Sequence, residues 1–129
     1  DLRDRPFSGA SDLGNPDRYA WEAATRSYLT AHPDTNVIIW SWCGQAATTI
    51  DNINIYLNLM EGLIADYPDV TFVFMTGHLN GTGPDGLLNL ANEHIRNHCR
   101  TCLLTTRWLL WVATANLAPA IWTLSQIFV

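Results

Sequence analysis

The chain has 129 residues, enough for one domain, and its seven Lys and Arg against twelve Asp and Glu give a net charge of -5. An acidic chain is not expected to bind nucleic acid, which requires a basic patch, and it carries no polybasic signal for an anionic membrane. Three cysteines cannot all pair with one another, so a disulfide framework is excluded.

The first predicted elements are a helix and a strand. Residues 1–14 contain no long apolar run and are predicted to form a loop. Asn15 and Pro16 form a helix-start signal, because Asn favours the N-cap and Pro the first helical position. This helix is predicted to end near His32. The run Val37–Trp42 is β-branched and aromatic, and its continuous apolar character is typical of a strand that is covered on both faces.

A second helix, a second strand and a third helix are predicted next. Thr48 or Thr49 can cap the second helix, which carries an apolar stripe of helical period. Val70–Met75 is a second strand of the buried type, and the glycine-containing loop Thr76–Gly86 separates it from a helix that runs from Leu87 to about Arg100. A strand, a helical crossover and a further strand predict parallel pairing in a three-layer α/β/α fold.

The composition changes near residue 100. A parallel sheet of this type usually has about five strands, so residues 1–100 are expected to be the middle part of a domain, with further strands before residue 1 and after residue 100. The chain also opens without a signal-peptide pattern, as a piece of a longer chain would. Residues 101–129 form an apolar tail with Arg107 as its one charge. Two interpretations compete for this tail: a membrane-spanning or buried helix, and a segment foreign to the fold, such as a shifted reading frame.

A candidate site lies at the carboxyl ends of the two strands, where open parallel sheets bind their ligands. Gly44 can offer its backbone N–H to an oxyanion, and Gln45 can add a side-chain donor. His78 in the second loop can act as a general base, a general acid or a hydrogen-bond donor. These residues are predicted to cluster at one edge of the sheet. The alternative is that the glycines serve turn geometry and that His78 bonds only to loop carbonyls.

Three other patterns could carry chemistry. His94 and His98, followed by Cys99 and Cys102, have the spacing of metal ligands, but a solvated helix face is the preferred interpretation, and no metal or cofactor is expected. Asn80-Gly81-Thr82 is a formal glycosylation sequon, for which a turn is preferred. No nucleophile can be nominated from the candidates, which are Ser8, Ser11, Ser41 and Cys43.

Four runs of residues share the pattern of a known family: Asn36–Gln45, Ile55–Met60, Ala65–Gly81 and Asn92–Arg96. The most specific parts are Trp-Ser-Trp-Cys-Gly in the first run and Met-Thr-Gly-His-Leu-Asn-Gly in the third. On these runs, residues 15–100 resemble the bacterial SGNH/GDSL-hydrolase-like family, whose members are esterases and acylhydrolases with a flavodoxin-like parallel sheet.

The resemblance bears on part of the candidate site. Gly44 and Gln45 stand where the family has oxyanion donors, although the usual Gly-x-Asn-Asp is absent, and residues 78–80 resemble a family loop. His78 remains the candidate catalytic base from its position at the end of the second strand. Three further residues are predicted to line the ligand site: Cys43, Gly77 and Asn80.

Two blocks of the family pattern have no counterpart in the chain. The nucleophile turn Gly-Asp-Ser would precede residue 1, and no Asp-x-x-His follows. The family would also continue after Arg100 with a short strand and an acidic loop, neither of which is expected in residues 101–129; this favours a shifted reading frame over a membrane anchor.

The function implied is therefore that of a fragment of an SGNH-like esterase or acylhydrolase, inactive as written. Its substrate would be a small-molecule, carbohydrate or lipid ester, and its setting would be bacterial, with secretion or the cell envelope as the compartments that suit the family. Two alternatives remain open. One is a non-catalytic module that binds a glycan or another ligand at the same edge, and the other is a fragment tethered to a membrane by the apolar tail.

Overall fold

The computed structural model describes residues 17–40, 42, 44–78, 80–102 and 109–111. This part of the chain is an α/β structure in which helices alternate with parallel strands. Its elements in chain order are α1 (Ala20–Ala31), β1 (Val37–Trp40), a short 3-10 turn (Gly44–Ala46), α2 (Ile50–Asp66), β2 (Thr71–Met75), α3 (Leu87–Cys102) and β3 (Leu109–Trp111).

The three strands form one parallel sheet in the order β1-β2-β3. Val37 lies opposite Thr71, and Trp40 lies opposite Phe74. The predicted parallel pairing of the first two strands is thereby confirmed. In the second pair of strands, the partner of Val73 is Leu109. The strand β3 lies within the tail, so the expectation that residues 101–129 contain no strand is wrong.

The core lies between one face of the sheet and the three helices. When successive crossovers move the same way across a sheet, the usual right-handed connection places their helices on the same face. The face that carries Ile38, Trp40, Phe72 and Phe74 joins a single apolar cluster with all three helices. The helical members of this cluster include Trp21, Leu29, Ile53, Leu57, Met60, Leu63, Ala91 and Ile95.

The opposite face of β1 is open in the described part of the chain. Val37 is 46% exposed and Ile39 is 52% exposed. The prediction that this strand is covered on both faces is therefore wrong for the residues described, because the helices that pack on it all lie on the side of Ile38 and Trp40. The continuous apolar run predicts two covered faces, but each face needs a packing partner of its own.

The start of α1 also differs from the prediction. The helix begins at Ala20 with Tyr19 as its N-cap, not at Asn15 and Pro16. The carboxylate of Asp17 accepts a hydrogen bond from the Tyr19 backbone N–H over 2.7 Å. This local side-chain-to-backbone bond lies in the bend that precedes the helix.

The N-cap of α2 is the one that the sequence predicts. The Thr49 side chain accepts a hydrogen bond from the backbone N–H of Asn52. Replacing Thr49 by Ala is expected to lower the free energy of unfolding by about 1 kcal/mol, since that N–H loses its acceptor. Chemical denaturation measures the change. Thr49→Ser retains the hydroxyl and is the control, and equal losses in the two variants would show that the cap contributes nothing.

No helix in the described ranges is both long enough and apolar enough to cross a membrane. The part of the tail beyond Trp111 lies outside those ranges. Whether the tail is foreign to the fold stays a prediction.

Candidate functional site

The loops that follow β1 and β2 are in contact at Gly77. A methyl group on Gly77 would lie 2.9 Å from the Ala46 Cβ and 3.5 Å from the Trp42 carbonyl oxygen. It would also lie 2.7 Å from the Leu88 Cδ1 of α3. These distances leave no room for a side chain, so glycine is what allows the two loops and α3 to approach one another here. The carboxyl ends of β1 and β2 therefore meet, as the parallel sheet predicts.

Asn92 of α3 holds the second loop in place. Its side-chain Oδ1 accepts a hydrogen bond from the Gly77 N–H over 2.8 Å, and its Nδ2 donates to the Gly77 carbonyl over 3.1 Å. The Asn92 side chain is buried, so it satisfies two backbone groups that water does not reach. His78 is the next residue in the chain. Asn92 therefore determines where the loop that carries His78 leaves the sheet.

The predicted site residues differ in how they are placed. Gly44 is exposed at the start of the 3-10 turn, and His78 is exposed after β2. Gln45 is half-buried, and its side-chain Oε1 is a buried atom with no hydrogen-bond partner. Cys43 lies outside the described residues. The contact at Gly77 brings the two loops together, while a pocket shared by the side chains of Gln45 and His78 stays a prediction.

Asn80 belongs to a tight turn. Its Oδ1 accepts hydrogen bonds from the Thr82 backbone N–H over 3.1 Å and from the Thr82 hydroxyl over 2.6 Å. Gly81 has a φ of 76° and Gly83 a φ of 78°, a left-handed conformation that favours glycine. This geometry confirms the turn that the sequence favours at Asn80-Gly81-Thr82. The Asn80 side chain is exposed beside the candidate edge.

A second polar group of residues lies next to the first loop. Arg18 donates through Nη2 to the Thr48 hydroxyl over 3.5 Å, and the Asn52 amide donates to the same hydroxyl over 2.8 Å. The positive charge of Arg18 also acts on the Tyr56 phenol. Burial raises the pKa of the Tyr56 phenol, and the charge of Arg18 partly offsets this rise. Tyr56 is therefore a neutral hydroxyl at physiological pH.

The histidines of α3 make contacts to α2. The His94 Nε2 lies 2.6 Å from the Asn54 Oδ1, and the His98 Nε2 lies 3.0 Å from the Glu61 Oε1. Cys99 is buried in the core. Within the described ranges no group of His, Cys, Asp and Glu could hold a metal ion. The preferred interpretation as a solvated helix face is wrong, because both imidazoles are partly buried between two helices.

Two residues with a clear role at this edge were not singled out from the sequence. Asn92 lies on the buried side of α3 with Leu88 and Ala91, and a polar residue among apolar ones is a signal of a buried partner. Arg18 precedes the helix and carries no pattern that marks it. The candidate nucleophiles Ser8, Ser11, Ser41 and Cys43 lie outside the described residues.

Comparison of the chain with protein-family models, with curated proteins and with solved structures finds no match.

Proposed function

We propose that the described residues form part of an SGNH-like hydrolase domain whose ester-binding edge is the pair of loops after β1 and β2. The observation that carries the proposal is the contact of these loops at Gly77, which sets the Gly44 and Gln45 turn beside the loop of His78. In open parallel sheets this is the edge at which ligands bind. The proposal covers binding of an ester and not its hydrolysis by this chain.

The fold that we propose is the flavodoxin-like, three-layer arrangement. Three consecutive parallel strands with all their helices on one face are what one half of such a sheet contains. The open face of β1, with Val37 and Ile39, is where the third layer would pack. In a complete domain, further strands would extend the sheet, since three strands are fewer than the usual five or so.

Within this edge each residue has a proposed role. The Gly44 N–H and the Gln45 side-chain amide would donate to the ester carbonyl oxygen, which gains negative charge during acyl transfer. In a domain that also holds a nucleophile, His78 would act as the base, since an imidazole nitrogen can accept a proton from a hydroxyl. Cys43, Gly77 and Asn80 would line the ligand.

The candidate nucleophiles Ser8, Ser11, Ser41 and Cys43 are not among the described residues of this edge. The Ser27 hydroxyl donates to the Ala23 carbonyl on α1, and the Cys99 thiol is buried in the core. Acyl transfer needs a hydroxyl or thiol within reach of a base. We therefore expect the chain to bind an ester without turning it over.

The first test is an esterase assay. Incubation of the purified chain with p-nitrophenyl acetate is expected to release nitrophenol at the rate of buffer alone, and His78→Ala is expected to behave in the same way. Release well above buffer that disappears in His78→Ala would contradict the expected inactivity and would point to Cys43 or Ser11 as the nucleophile.

Binding is tested separately, because an ester that is not consumed can be used as a ligand. Addition of phenyl butyrate to 15N-labelled protein is expected to shift the backbone amide resonances of Gly44 and Gly77. Gly62 lies on α2 and is the matched control, whose resonance should stay in place. Unchanged resonances at Gly44 and Gly77 under saturating ester would refute the proposed site.

The non-catalytic alternative uses the same residues for another ligand. It is favoured over ester binding when a glycan, and not the ester, shifts the Gly44 and Gly77 resonances. Tethering to a membrane by the tail would concern residues outside the described ranges, and no described contact favours it.

A further inference from the structure

The turn after β2 presents an asparagine side-chain amide next to an accessible backbone nitrogen. Asn80 is followed by glycine, and this is the one Asn-Gly pair in the chain. Both residues are exposed, and a Cβ built on Gly81 would have no atom within 4 Å apart from its chain neighbours. Within the described ranges no group accepts a hydrogen bond from the Gly81 N–H. The Gly81 nitrogen is therefore open to reaction with the Asn80 amide.

Two hydrogen bonds converge on the oxygen of this amide. The Asn80 Oδ1 accepts from the Thr82 backbone N–H over 3.1 Å and from the Thr82 hydroxyl over 2.6 Å. Attack of a nucleophile on the Asn80 Cγ places negative charge on Oδ1, and preorganised donors at such distances stabilise that charge. The two Thr82 donors therefore have the geometry of an oxyanion site for the Asn80 amide itself.

Gly86 leaves room for the Thr82 side chain. A Cβ on Gly86 would lie 2.6 Å from the Thr82 Cβ and would also collide with the Thr82 hydroxyl oxygen. The Gly86 N–H donates to the Gly83 carbonyl over 3.2 Å, which closes a second turn directly after Thr82. A side chain at position 86 would push the Thr82 hydroxyl out of its place. The loop is thus folded around Thr82 in the position from which it reaches Asn80.

We propose that Asn80 is a site of spontaneous deamidation, in which Gly81 supplies the nucleophile and Thr82 stabilises the oxyanion. The Gly81 backbone nitrogen attacks the Asn80 Cγ and forms the new C–N bond of a succinimide. The bond from Cγ to the amide nitrogen breaks, and this nitrogen takes up the proton that the Gly81 nitrogen loses and leaves as ammonia. Water then opens the succinimide at either carbonyl, which gives aspartate or isoaspartate at position 80. In balance, one water enters and one ammonia leaves.

The reaction changes the loop that carries His78. A neutral amide becomes a carboxylate two residues after His78. In the aspartate product this carboxylate can still accept the two hydrogen bonds of Thr82, which are then charge-assisted. Isoaspartate adds a methylene group to the main chain and changes the path of the turn. Both products add negative charge beside the candidate edge as the protein ages. The reaction requires no ester and does not depend on the proposed function.

The test is peptide mass spectrometry after timed incubation of the folded chain at neutral pH. Conversion raises the mass of the peptide that contains Asn80, and enzymatic methylation detects isoaspartate. Asn89 is the matched control, because the Leu90 N–H that would attack its amide donates to the Gly86 carbonyl over 3.1 Å. The incubation lasts until a free peptide of residues 76–86 is fully converted. Conversion at Asn80 and not at Asn89 is expected, and conversion at neither or equally at both would overturn the proposal.

Replacement of Thr82 tests the oxyanion donors. Thr82→Val keeps the backbone N–H and removes the hydroxyl, and it is expected to slow conversion about fivefold, which corresponds to the loss of one hydrogen bond. Thr82→Ser keeps the hydroxyl and should convert at the rate of the unmodified chain. Hydrogen bonds that only held the amide away from the Gly81 nitrogen would have the opposite effect. Faster conversion in Thr82→Val, or equal rates in the two variants, refutes the role of Thr82.

Replacement of the two glycines tests the nucleophile and the room for Thr82. Gly81→Ala is expected to slow conversion at least about tenfold, since a Cβ crowds the attacking nitrogen. Gly86→Ala should slow it to the rate of Thr82→Val. An unchanged melting temperature shows that a variant is folded. An unchanged rate in Gly81→Ala, or aspartate without isoaspartate in the unmodified chain, would mean that water attacks the amide directly and would contradict the succinimide route.

Discussion

Replacing Trp21 by Ala is expected to lower the free energy of unfolding by about 4 kcal/mol. The Trp21 side chain is fully buried, and its ring contacts Trp40 and Trp42 edge-on at centroid distances of 5.5 Å and 5.3 Å. It also lies 6.4 Å from the Tyr56 ring. Its removal leaves a cavity where α1, α2 and the end of β1 meet, and chemical denaturation measures the loss.

The control for this variant is Tyr19→Ala, two residues earlier. Tyr19 is 57% exposed, and only its backbone carbonyl bonds to the helix, so its side chain contributes little packing. The expected loss is below about 1 kcal/mol. If Trp21→Ala were no more destabilising than Tyr19→Ala, α1 would not pack on the sheet through this residue.

Replacing Asn92 by Ala is expected to lower the free energy of unfolding by about 3 kcal/mol. Both the N–H and the carbonyl of Gly77 lose their partner, and both lie where the loop is buried. Thermal or chemical denaturation gives the stability change. The amide resonances of Gly77 and His78 should also shift, because the loop is no longer held against α3.

Asn89→Ala is the matched control for Asn92, because it removes the same amide from the same helix. Asn89 donates to the Pro84 carbonyl over 2.7 Å at an exposed position. Water can replace this bond, so the expected loss is below about 1 kcal/mol. Equal losses for the two variants would contradict the role of Asn92 in holding the loop.

The elements that the sequence predicts well are those with strong periodicity. The apolar stripe of α2 predicts its buried residues Ile53, Tyr56 and Leu57, and a cap at Thr48 or Thr49 predicts its start. The parallel pairing of β1 and β2 follows from the helical crossover between them. In these cases the local pattern and the tertiary packing favour the same structure.

The elements that the sequence predicts badly fail for different reasons. Asn15 and Pro16 are a good start signal, but α1 begins at Ala20, after a bend at Arg18 and Tyr19. The apolar run Val37–Trp42 does not say whether both faces have a packing partner. The sequence does not predict β3, because a short apolar run has no periodicity that distinguishes a strand from a helix.

The sequence predicts where the candidate site lies, but it identifies only some of the residues that form it. Topology alone places Gly44, Gln45 and His78 at the carboxyl edge of the sheet. Asn92 comes from a helix, and its partner in the second loop cannot be identified without the fold. The same holds for Arg18, whose hydrogen-bond partner Thr48 precedes another helix.

The strand order β1-β2-β3 has a consequence for how the sheet is assembled during synthesis. Each of the three described strands pairs with the next one in the chain, so none of these three has to be inserted between two that are already paired. As the chain leaves the ribosome, β1, α2 and β2 can close into a unit before α3 and β3 have been made. Each later step closes a loop of only one helix and its turns, which keeps the entropic cost of each closure small. The sheet is therefore expected to grow from β1 towards β3, with β3 as the last strand to dock.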